Sequence, residues 1–563
     1  MSEKPIIYQL LPRLFANYND ACVHGGTLEQ NGSGKLASIN ARILNSLHDM
    51  GITHMWYTGV IEHAHRPDYS AYGIPRHNPH FIKGEAGSPY AITDYYDIDP
   101  DLAVDPAKRM DEFEALIART HRAGMKALID FVPNHVAREY HSDAAPADAP
   151  ADFGTDDRTD WFFFRDNNFY YLPYTTFQPH GVDLGEGDDR YIESPARASG
   201  NDCFTPTPGM YDWYDTVKLN YGVDYGNHTH HFDPIPSTWH KMLHILKYWA
   251  GKGVDGFRCD MVHMVPVEFW QWALPQVKSA YPGTLFIAEI YDINLYAPYI
   301  NAGFDYLYDK VGLYDTLRGI ECHGAPAHSI TGSWQRIDGL QPHMLNFLEN
   351  HDEQRFASAF YAGEPERVWA SLVVSATIST GAVMIYAGQE LGEPGADAEG
   401  YSGRDGRTTI FDYWSIDTLR RWLNRGYPAN KNLTAAEVLL RVRYSRLLNI
   451  CNQSQAIAHG GFFDLTYANP YSRDFDPAKQ FAYLRHKDNE LLLIAANFDN
   501  KPAHCNINIP MHAFEYIGIT PGKRTGRELL TDIEIPLTLS PDSTVTLDIP
   551  AHGAVMVKMS VKI

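Results

Sequence analysis

The sequence predicts an α/β fold: a (β/α)8 TIM barrel with an inserted domain after its third strand and a C-terminal antiparallel β-sandwich. Three observations predict it. Eight short apolar runs alternate with segments of helical periodicity. A long segment rich in Asp, Pro, Gly and aromatic residues interrupts the alternation after the third run. The last part of the chain contains short alternating strands. At 563 residues the chain is too long for one average domain.

The eight apolar runs are short enough to be buried strands of a parallel sheet, whose two faces are both covered. They are residues 6–12, 54–60, 126–132, 256–260, 285–290, 304–309, 344–350 and 382–388.

Helical patterns separate these runs. Residues 36–50 place apolar side chains on one side, and Gly51 follows as a stop signal. Asp105 and Pro106 are a cap and a first-turn proline for a helix that extends to about Arg122. Two further helices are predicted at residues 239–250 and 266–278. Eight alternating units of this kind favour a closed (β/α)8 barrel.

The long segment after the third strand and the strands at the end of the chain divide the sequence into three predicted domains. The barrel comprises residues 1–135 and 228–455, and residues 136–227 form an inserted, loop-rich domain rather than a simple lid. Residues 456–563 form the C-terminal β-sandwich, because residues 481–485, 491–497 and 554–559 alternate as strands do.

Charge and cysteine content narrow the function classes. With 47 Lys and Arg against 69 Asp and Glu, the formal net charge is -22, which disfavours nucleic acid and anionic membranes as partners. The six cysteines are widely scattered without a CxxC pair, which favours free thiols in a reducing compartment. The N-terminus shows no signal-peptide core, and no stretch is apolar enough to span a bilayer. We therefore expect a cytoplasmic protein.

Acidic residues follow the predicted strands where a barrel carries its active site, at the carboxyl ends. Asp260 ends the fourth strand, Glu289 the fifth and Asp352 the seventh, with Arg258 two residues before Asp260. A carboxylate at the end of an apolar strand is costly to bury unless it is paired or used. One of these residues alone is as well explained as a helix cap or a buried ion pair. Three carboxylates on one rim instead indicate glycoside hydrolysis. That reaction needs one carboxylate as nucleophile or base and one carboxylic acid to protonate the leaving oxygen.

The segments that carry these residues resemble the four sequence blocks of the α-amylase family, glycoside hydrolase family 13. The blocks are residues 130–135, 256–264, 286–289 and 347–352, in the family's order. Residues 88–95, 385–390 and 406–412 extend the resemblance to roughly residues 1–450.

The resemblance implies a role for each matching residue. Asp260 would be the nucleophile, Glu289 the acid/base that begins protonated, and Asp352 the residue that stabilises the transition state. Arg258 is expected to pair with Asp260 and lower its pKa. The implied substrate contacts are Tyr90, which stacks on the scissile sugar, and His135, Arg258, His263 and His351. A retaining mechanism predicts about 5–5.5 Å between the two reacting carboxyl groups.

Two departures from the family pattern matter. The second block usually ends Lys-His, but here the pair is His263-Met264, as in a branch of maltosyltransferases with His at that place.

Many members also bind calcium through an Asn equivalent to Asn134, an Asp, and a backbone carbonyl of the second block. Lys218 stands where that Asp is expected, and an ammonium cannot ligate a cation. We expect no required cofactor, with Lys218 bonding Asn134 in place of the metal; Asn134 is a possible ligand if calcium binds.

Three functions remain open. The first is hydrolysis of α-1,4-glucosidic bonds in maltooligosaccharides and starch-type glucans. The second is glucosyl or maltosyl transfer, and the third is glucan binding without catalysis. The three carboxylates favour an enzyme over the third.

Overall fold

A computed structural model describes residues 4–397 and 403–561, apart from the side chain of Asp188. Eight parallel strands close into a barrel, and all eight predicted strands are confirmed. We number them β1 to β8 in chain order: Ile6–Leu10, His54–Tyr57, Lys126–Phe131, Gly256–Cys259, Leu285–Ala288, Tyr306–Tyr308, Met344–Phe347 and Ala382–Tyr386. Each strand pairs with its sequence neighbour, and β1 closes the barrel on β8. The strands are almost fully buried, as their apolar sequences require.

Helices cover the outside of the barrel between successive strands. They are Ala41–Asp49, Arg109–Arg122, Ser237–Gly251, Val267–Ala280, Tyr296–Ala302, Asp315–His323, Ser329–Gln335 and Trp369–Thr377, followed after β8 by Asp417–Leu423, Ala435–Gln453 and Gln455–His459.

All four predicted helix starts differ from the structure, and the two largest shifts occur in the first two helices. The helix predicted from residue 36 is broken, because the Asn40 side chain accepts from the N–H groups of Arg42 and Ile43 and so caps a new helix at Ala41. Asp105 does cap the segment after it, but Pro106–Lys108 is a 3-10 turn that leads into Arg109–Arg122. The Asn40 cap, rather than the apolar periodicity, decides where the first of these helices begins, whereas Arg109–Arg122 begins without a side-chain cap.

The segment after β3 contains short antiparallel pairs. His135–Ala137 pairs with Thr216–Lys218, and Tyr171–Leu172 pairs with Ala196–Arg197. The first pairing sets His135 opposite Lys218, directly above the barrel rim. Part of the segment packs around a small apolar cluster that includes Phe177 and Tyr191. The domain limits at residues 135, 227 and 455 stay a prediction.

The C-terminal part is antiparallel, as predicted. One sheet contains Gly461–Asp464, Gln480–Lys487, Glu490–Asn497, Gly522–Glu528, Ile533–Leu539 and Ala554–Ser560, and a second pairs Ala503–Asn508 with Thr544–Ile549. Both contribute to one apolar core, which is separate from the barrel core. The six cysteines carry free thiols. Among the described residues, no helix has both the length and the apolar character needed to cross a bilayer.

Candidate active site

A cleft of about 340 Å³ opens at the carboxyl ends of the barrel strands. Asp260, Glu289 and Asp352 all line it, although they are far apart in the sequence. Tyr90, His135 and His351 line it too. The structure therefore brings together the three predicted catalytic carboxylates and three of the five predicted substrate contacts. Arg258 is fully buried beneath the cleft, and His263 is not among the residues that line it.

One guanidinium joins two of the carboxylates. Nη1 of Arg258 donates to Oδ1 of Asp260 at 2.7 Å, and Nη2 lies 2.7 Å from Oε2 of Glu289. Asp130 lies 3.8 Å from the same Nη1. Because β4 pairs with β3 and β5, residues at the ends of these three strands meet around Arg258. The ion pair predicted between Arg258 and Asp260 is present, and Glu289 shares it.

The residue after Asp260 has an unusual backbone conformation. Met261 has φ of 41°, in the left-handed region that non-glycine residues seldom adopt. This turn directs the Met261 N–H to Oε2 of Glu289 at 2.9 Å, and the next N–H, from Val262, donates to the Glu289 carbonyl. Strained residues of this kind cluster at functional sites, where surrounding contacts hold them. Here the strain fixes the two carboxylates relative to each other.

Burial raises the pKa of Asp260 well above its usual range. The negative charge of Glu289 adds to the rise in pKa, and the Arg258 guanidinium opposes it. Arg258 lowers this pKa, as expected, but the net shift is upward because removal from water disfavours the charged form more than one shared guanidinium favours it. The raised pKa means that Asp260 holds a proton more readily than an exposed aspartate does.

Asp352 and two rings form the other wall of the cleft. Nε2 of His351 lies 3.1 Å from Oδ2 of Asp352, and the Tyr90 hydroxyl lies 2.5 Å from the same nitrogen. The Tyr90 and His351 rings stack at a centroid distance of 5.4 Å. Burial lowers the pKa of His351 to about 3, with a further contribution from Arg258, so the ring is neutral at pH 7. A neutral imidazole can hydrogen-bond sugar hydroxyls without adding a charge to the cleft.

The other two histidines predicted to contact the substrate are His135 and His263. Nε2 of His135 donates to the Tyr90 carbonyl at 3.1 Å, and Nδ1 lies 3.2 Å from the Asn134 amide nitrogen. Both ring nitrogens of His135 therefore have protein partners. His263 lies in the 3-10 turn Val262–Met264 after the nucleophile position. Substrate contact by either histidine stays a prediction.

Several cleft residues were not identified as site residues from the sequence, among them Tyr291, Trp213, Lys83 and Phe411. Tyr291 donates to Oε1 of Glu289 at 2.6 Å. Trp213 packs on His135, Lys83 pairs with Asp215 at 3.0 Å, and Phe411 also lines the cleft. Tyr291 could have been suspected, because it lies two residues after Glu289. The other three come from loops whose path over the cleft no local pattern indicates.

Comparison with known proteins shows which family the chain resembles. The model of the α-amylase catalytic domain matches residues 9–183, and the α-amylase MalA of Haloarcula japonica is 25% identical over 400 residues. The chain is similar to the α-amylase family over these residues. The region aligned with MalA is 70% of this chain but 45% of MalA. A maltosyltransferase of Rhodospirillum rubrum, which acts with α-1,4-glucan and maltose 1-phosphate by its name, is 28% identical over 211 residues, 37% of this chain and 22% of its own length. The chain thus spans less than half the length of both relatives.

A solved α-amylase shares the fold over the whole chain. The enzyme from Geobacillus thermoleovorans, solved with acarbose, superposes with a TM-score of 0.62 at 18% identity and covers 100% of this chain and 99% of its own. At this identity the likeness concerns the fold.

The position where the family resemblance implies calcium contains an ammonium. Nζ of Lys218 donates to Oδ1 of Asn134, to the Met264 carbonyl at 2.9 Å, and lies 2.6 Å from Asp202. Burial lowers the pKa of Lys218, and the Asp202 charge opposes that fall. The expected contact between Lys218 and Asn134 is present. The residues do not fit a calcium ion, because the oxygens that would ligate it already accept from a cation, and no group of three or more His, Cys, Asp or Glu in the described residues could hold a metal.

We expect a chelator to leave the melting temperature within about 1 °C of its starting value, whereas Lys218→Met lowers it by about 2 °C or more. Removing the ammonium leaves Asn134 and the Met264 carbonyl without their donor inside the protein. Differential scanning fluorimetry with and without excess EDTA measures both effects.

Lys278→Met is the matched control. Lys278 also contacts one carboxylate and one carbonyl, Asp305 at 2.9 Å and Gly303 at 2.7 Å, but it is partly exposed. Exposed ion pairs contribute little, so we expect almost no change. A large fall in melting temperature on adding EDTA to the unmodified protein would show that a metal is bound after all.

Proposed function

We propose that the chain is a retaining α-glycoside hydrolase that cleaves α-1,4-glucosidic bonds in maltooligosaccharides and starch-type glucans. The observation that carries the proposal is the contact of Asp260 and Glu289 with two nitrogens of one guanidinium. This arrangement favours a short distance between the two carboxyl groups, about 5–5.5 Å, as in retaining enzymes. In inverting enzymes this distance is about 6.5–9.5 Å, which leaves room for a water.

The proposed reaction has two steps. Asp260 attacks the anomeric carbon as a carboxylate while Glu289 gives its proton to the leaving glycosidic oxygen, which forms a covalent glycosyl ester on Asp260. Glu289, now a carboxylate, removes a proton from water, and that water attacks the anomeric carbon and releases Asp260. Each step inverts the anomeric carbon, so the product keeps the α configuration. Asp352 would bind hydroxyls of the distorted sugar and stabilise the positive charge of the transition state.

One proton shared between the two carboxyl groups suits this sequence of steps. The raised pKa of Asp260 and the shared Arg258 favour one protonated carboxyl group among the two. When a glycosidic oxygen lies beside Glu289, the proton has to be on Glu289 and the negative charge on Asp260, next to Arg258. The pairing of Arg258 with Asp260 at 2.7 Å supports the charged nucleophile at that moment.

The second candidate is transfer of a glucosyl or maltosyl unit to a sugar or phosphate. Its support is the maltosyltransferase among the relatives and His263 three residues after Asp260. The same covalent ester would form, and an acceptor other than water would then take the sugar. The third candidate, a non-catalytic glucan-binding protein, has less support because all three acidic side chains line the cleft.

Incubation with maltoheptaose, with and without phosphate, distinguishes the three candidates by product chromatography. New reducing ends and shorter sugars would support hydrolysis. Longer or phosphorylated sugars would support transfer, and unchanged maltoheptaose would support binding alone. Proton NMR of the first products would show the α anomer if configuration is retained, and the β anomer would contradict the double displacement.

A further inference from the structure

The two oxygens of the Glu289 carboxyl group have different partners. Oε2 accepts from the Met261 N–H at 2.9 Å and lies 2.7 Å from Nη2 of Arg258. Oε1 accepts from the Tyr291 hydroxyl at 2.6 Å. A backbone N–H and a guanidinium only donate, whereas a phenol can donate or accept. The acid form of Glu289 can therefore carry its proton on Oε1 but not on Oε2, where the added proton would face two donors.

Because the proton is carried on Oε1, the Tyr291 hydroxyl contacts the oxygen that takes part in proton transfer. We propose that Tyr291 is a positioning residue for the acid/base: its hydroxyl holds Oε1 of Glu289 toward the glycosidic oxygen and stabilises the carboxylate that remains after the proton has left. The inference rests on the proposed function and names a residue of that same site. Tyr291 itself lines the cleft, on the loop that follows β5.

During the two steps, the hydrogen-bond partner of Oε1 must accommodate both the protonated and the ionised form of Glu289. In the first step the O–H bond at Oε1 breaks, the proton moves to the leaving oxygen, and Tyr291 donates to the new carboxylate. In the second step water gives a proton back to Oε1, and Tyr291 gives up that donation or shares the other lone pair of Oε1. Tyr291 neither gains nor loses a proton overall. Burial, followed by the charge of Glu289, raises the pKa of Tyr291 well above its usual range, so the phenol stays protonated.

Other charged or titratable groups also face Glu289 from the surrounding strands. They are Asp130 after β3, Arg258 and Asp260 at β4, His263 in the following turn, Tyr308 on β6, and His351 and Asp352 after β7. Tyr291 donates directly to Oε1, at 2.6 Å. A change confined to Tyr291 therefore changes the partner of Oε1 and leaves the charges in place.

Tyr291→Phe tests the proposal. The carboxylate form of the acid/base loses a donor, so the protonated form persists to higher pH, and we expect the alkaline limb of kcat/KM to move up by about one pH unit. At the pH optimum we expect kcat/KM for maltoheptaose to fall about tenfold, because Oε1 is no longer held in position. With α-maltosyl fluoride, whose leaving group departs without a proton, we expect a fall of less than about threefold.

Tyr57→Phe is the matched control. Its hydroxyl also makes a buried 2.6 Å hydrogen bond, to Thr120, but Tyr57 does not line the cleft. We expect its pH profile and both substrates to behave as in the unmodified protein. Equal losses on both substrates with an unmoved alkaline limb in Tyr291→Phe would show a purely structural role and overturn the inference. An unmodified protein that cleaves neither substrate would instead overturn the proposed function.

Discussion

Asp260→Asn is expected to lower kcat for maltoheptaose by about 10⁴-fold or more, with the fold unchanged. The asparagine amide has nearly the same shape and can still accept from Arg258, but it cannot form a glycosyl ester. The loss falls on the chemical step, so substrate binding should change far less than kcat. Product chromatography over long incubation times measures the residual rate, and circular dichroism checks the fold.

The same variant has an expected stability signature. The folded-state pKa of Asp260 is raised above the usual 3.8, so its ionised form is disfavoured in the folded protein. This penalty is absent at a pH below the usual value and grows as pH rises toward the raised pKa. Removing the ionisable group should therefore make the variant at least as stable as the unmodified protein at pH 8, with a smaller difference at pH 5.

Asp255→Asn is a matched control at the other end of the same strand. Asp255 lies just before β4 and accepts from the Ala127 N–H at 2.7 Å, far from the carboxyl-end rim. We expect its loss to affect stability and not the catalytic step. Near-normal turnover by Asp260→Asn would remove Asp260 from the role of nucleophile, whatever the control shows.

The barrel could be predicted from the sequence because its signal is strong and local. Each strand is a short apolar run, and burial of both faces of a parallel sheet demands that pattern. The predicted runs extend one to three residues beyond the strands at their carboxyl ends, as at residues 6–12 against Ile6–Leu10. Apolar side chains continue past the last ladder hydrogen bond there, because the chain is still buried as it turns into the rim loops.

The composition of the site was predictable, but its energetics were not. Asp260, Glu289 and Asp352 follow three strands, so the topology alone brings them to one rim. The direction of the Asp260 pKa depends on how far burial outweighs a guanidinium that Glu289 shares, and the sequence contains no measure of burial. The left-handed turn at Met261 is equally invisible in the sequence, since Met carries no preference for it.

The position of Lys218 shows what a family pattern adds and what it leaves out. The pattern indicates that a basic residue replaces an expected metal ligand, and the structure places its ammonium against Asn134. The other two partners, Asp202 and the Met264 carbonyl, come from segments far apart in the chain. The strand pairing of His135–Ala137 with Thr216–Lys218 places Lys218 beside Asn134, but no local sequence pattern indicates the other two contacts.

Arg258→Met is expected to reduce the free energy of unfolding by about 3–5 kcal/mol at pH 8, in addition to abolishing turnover. The guanidinium is fully buried and lies within 4 Å of Asp130, Asp260 and Glu289. Without it, buried carboxylates repel one another with no countercharge, so their ionisation opposes folding more strongly. Urea unfolding followed by tryptophan fluorescence at pH 5 and pH 8 measures the loss.

The sign of the pH dependence follows from the carboxyl groups that remain. In the variant the folded-state pKa values of Asp130 and Asp260 lie further above the unfolded ones, so stability is lost as pH rises and recovered as pH falls and the groups gain protons. The loss caused by Arg258→Met should therefore be clearly smaller at pH 5 than at pH 8.

Arg485→Met is the matched control, because Arg485 is equally buried but donates to backbone carbonyls, among them those of Ile378 and Gly460. Its loss should be the same at both pH values. If Arg258→Met also showed no dependence on pH, the three carboxyl groups would not share the guanidinium as their countercharge, and the electrostatic basis of the proposed site would fail.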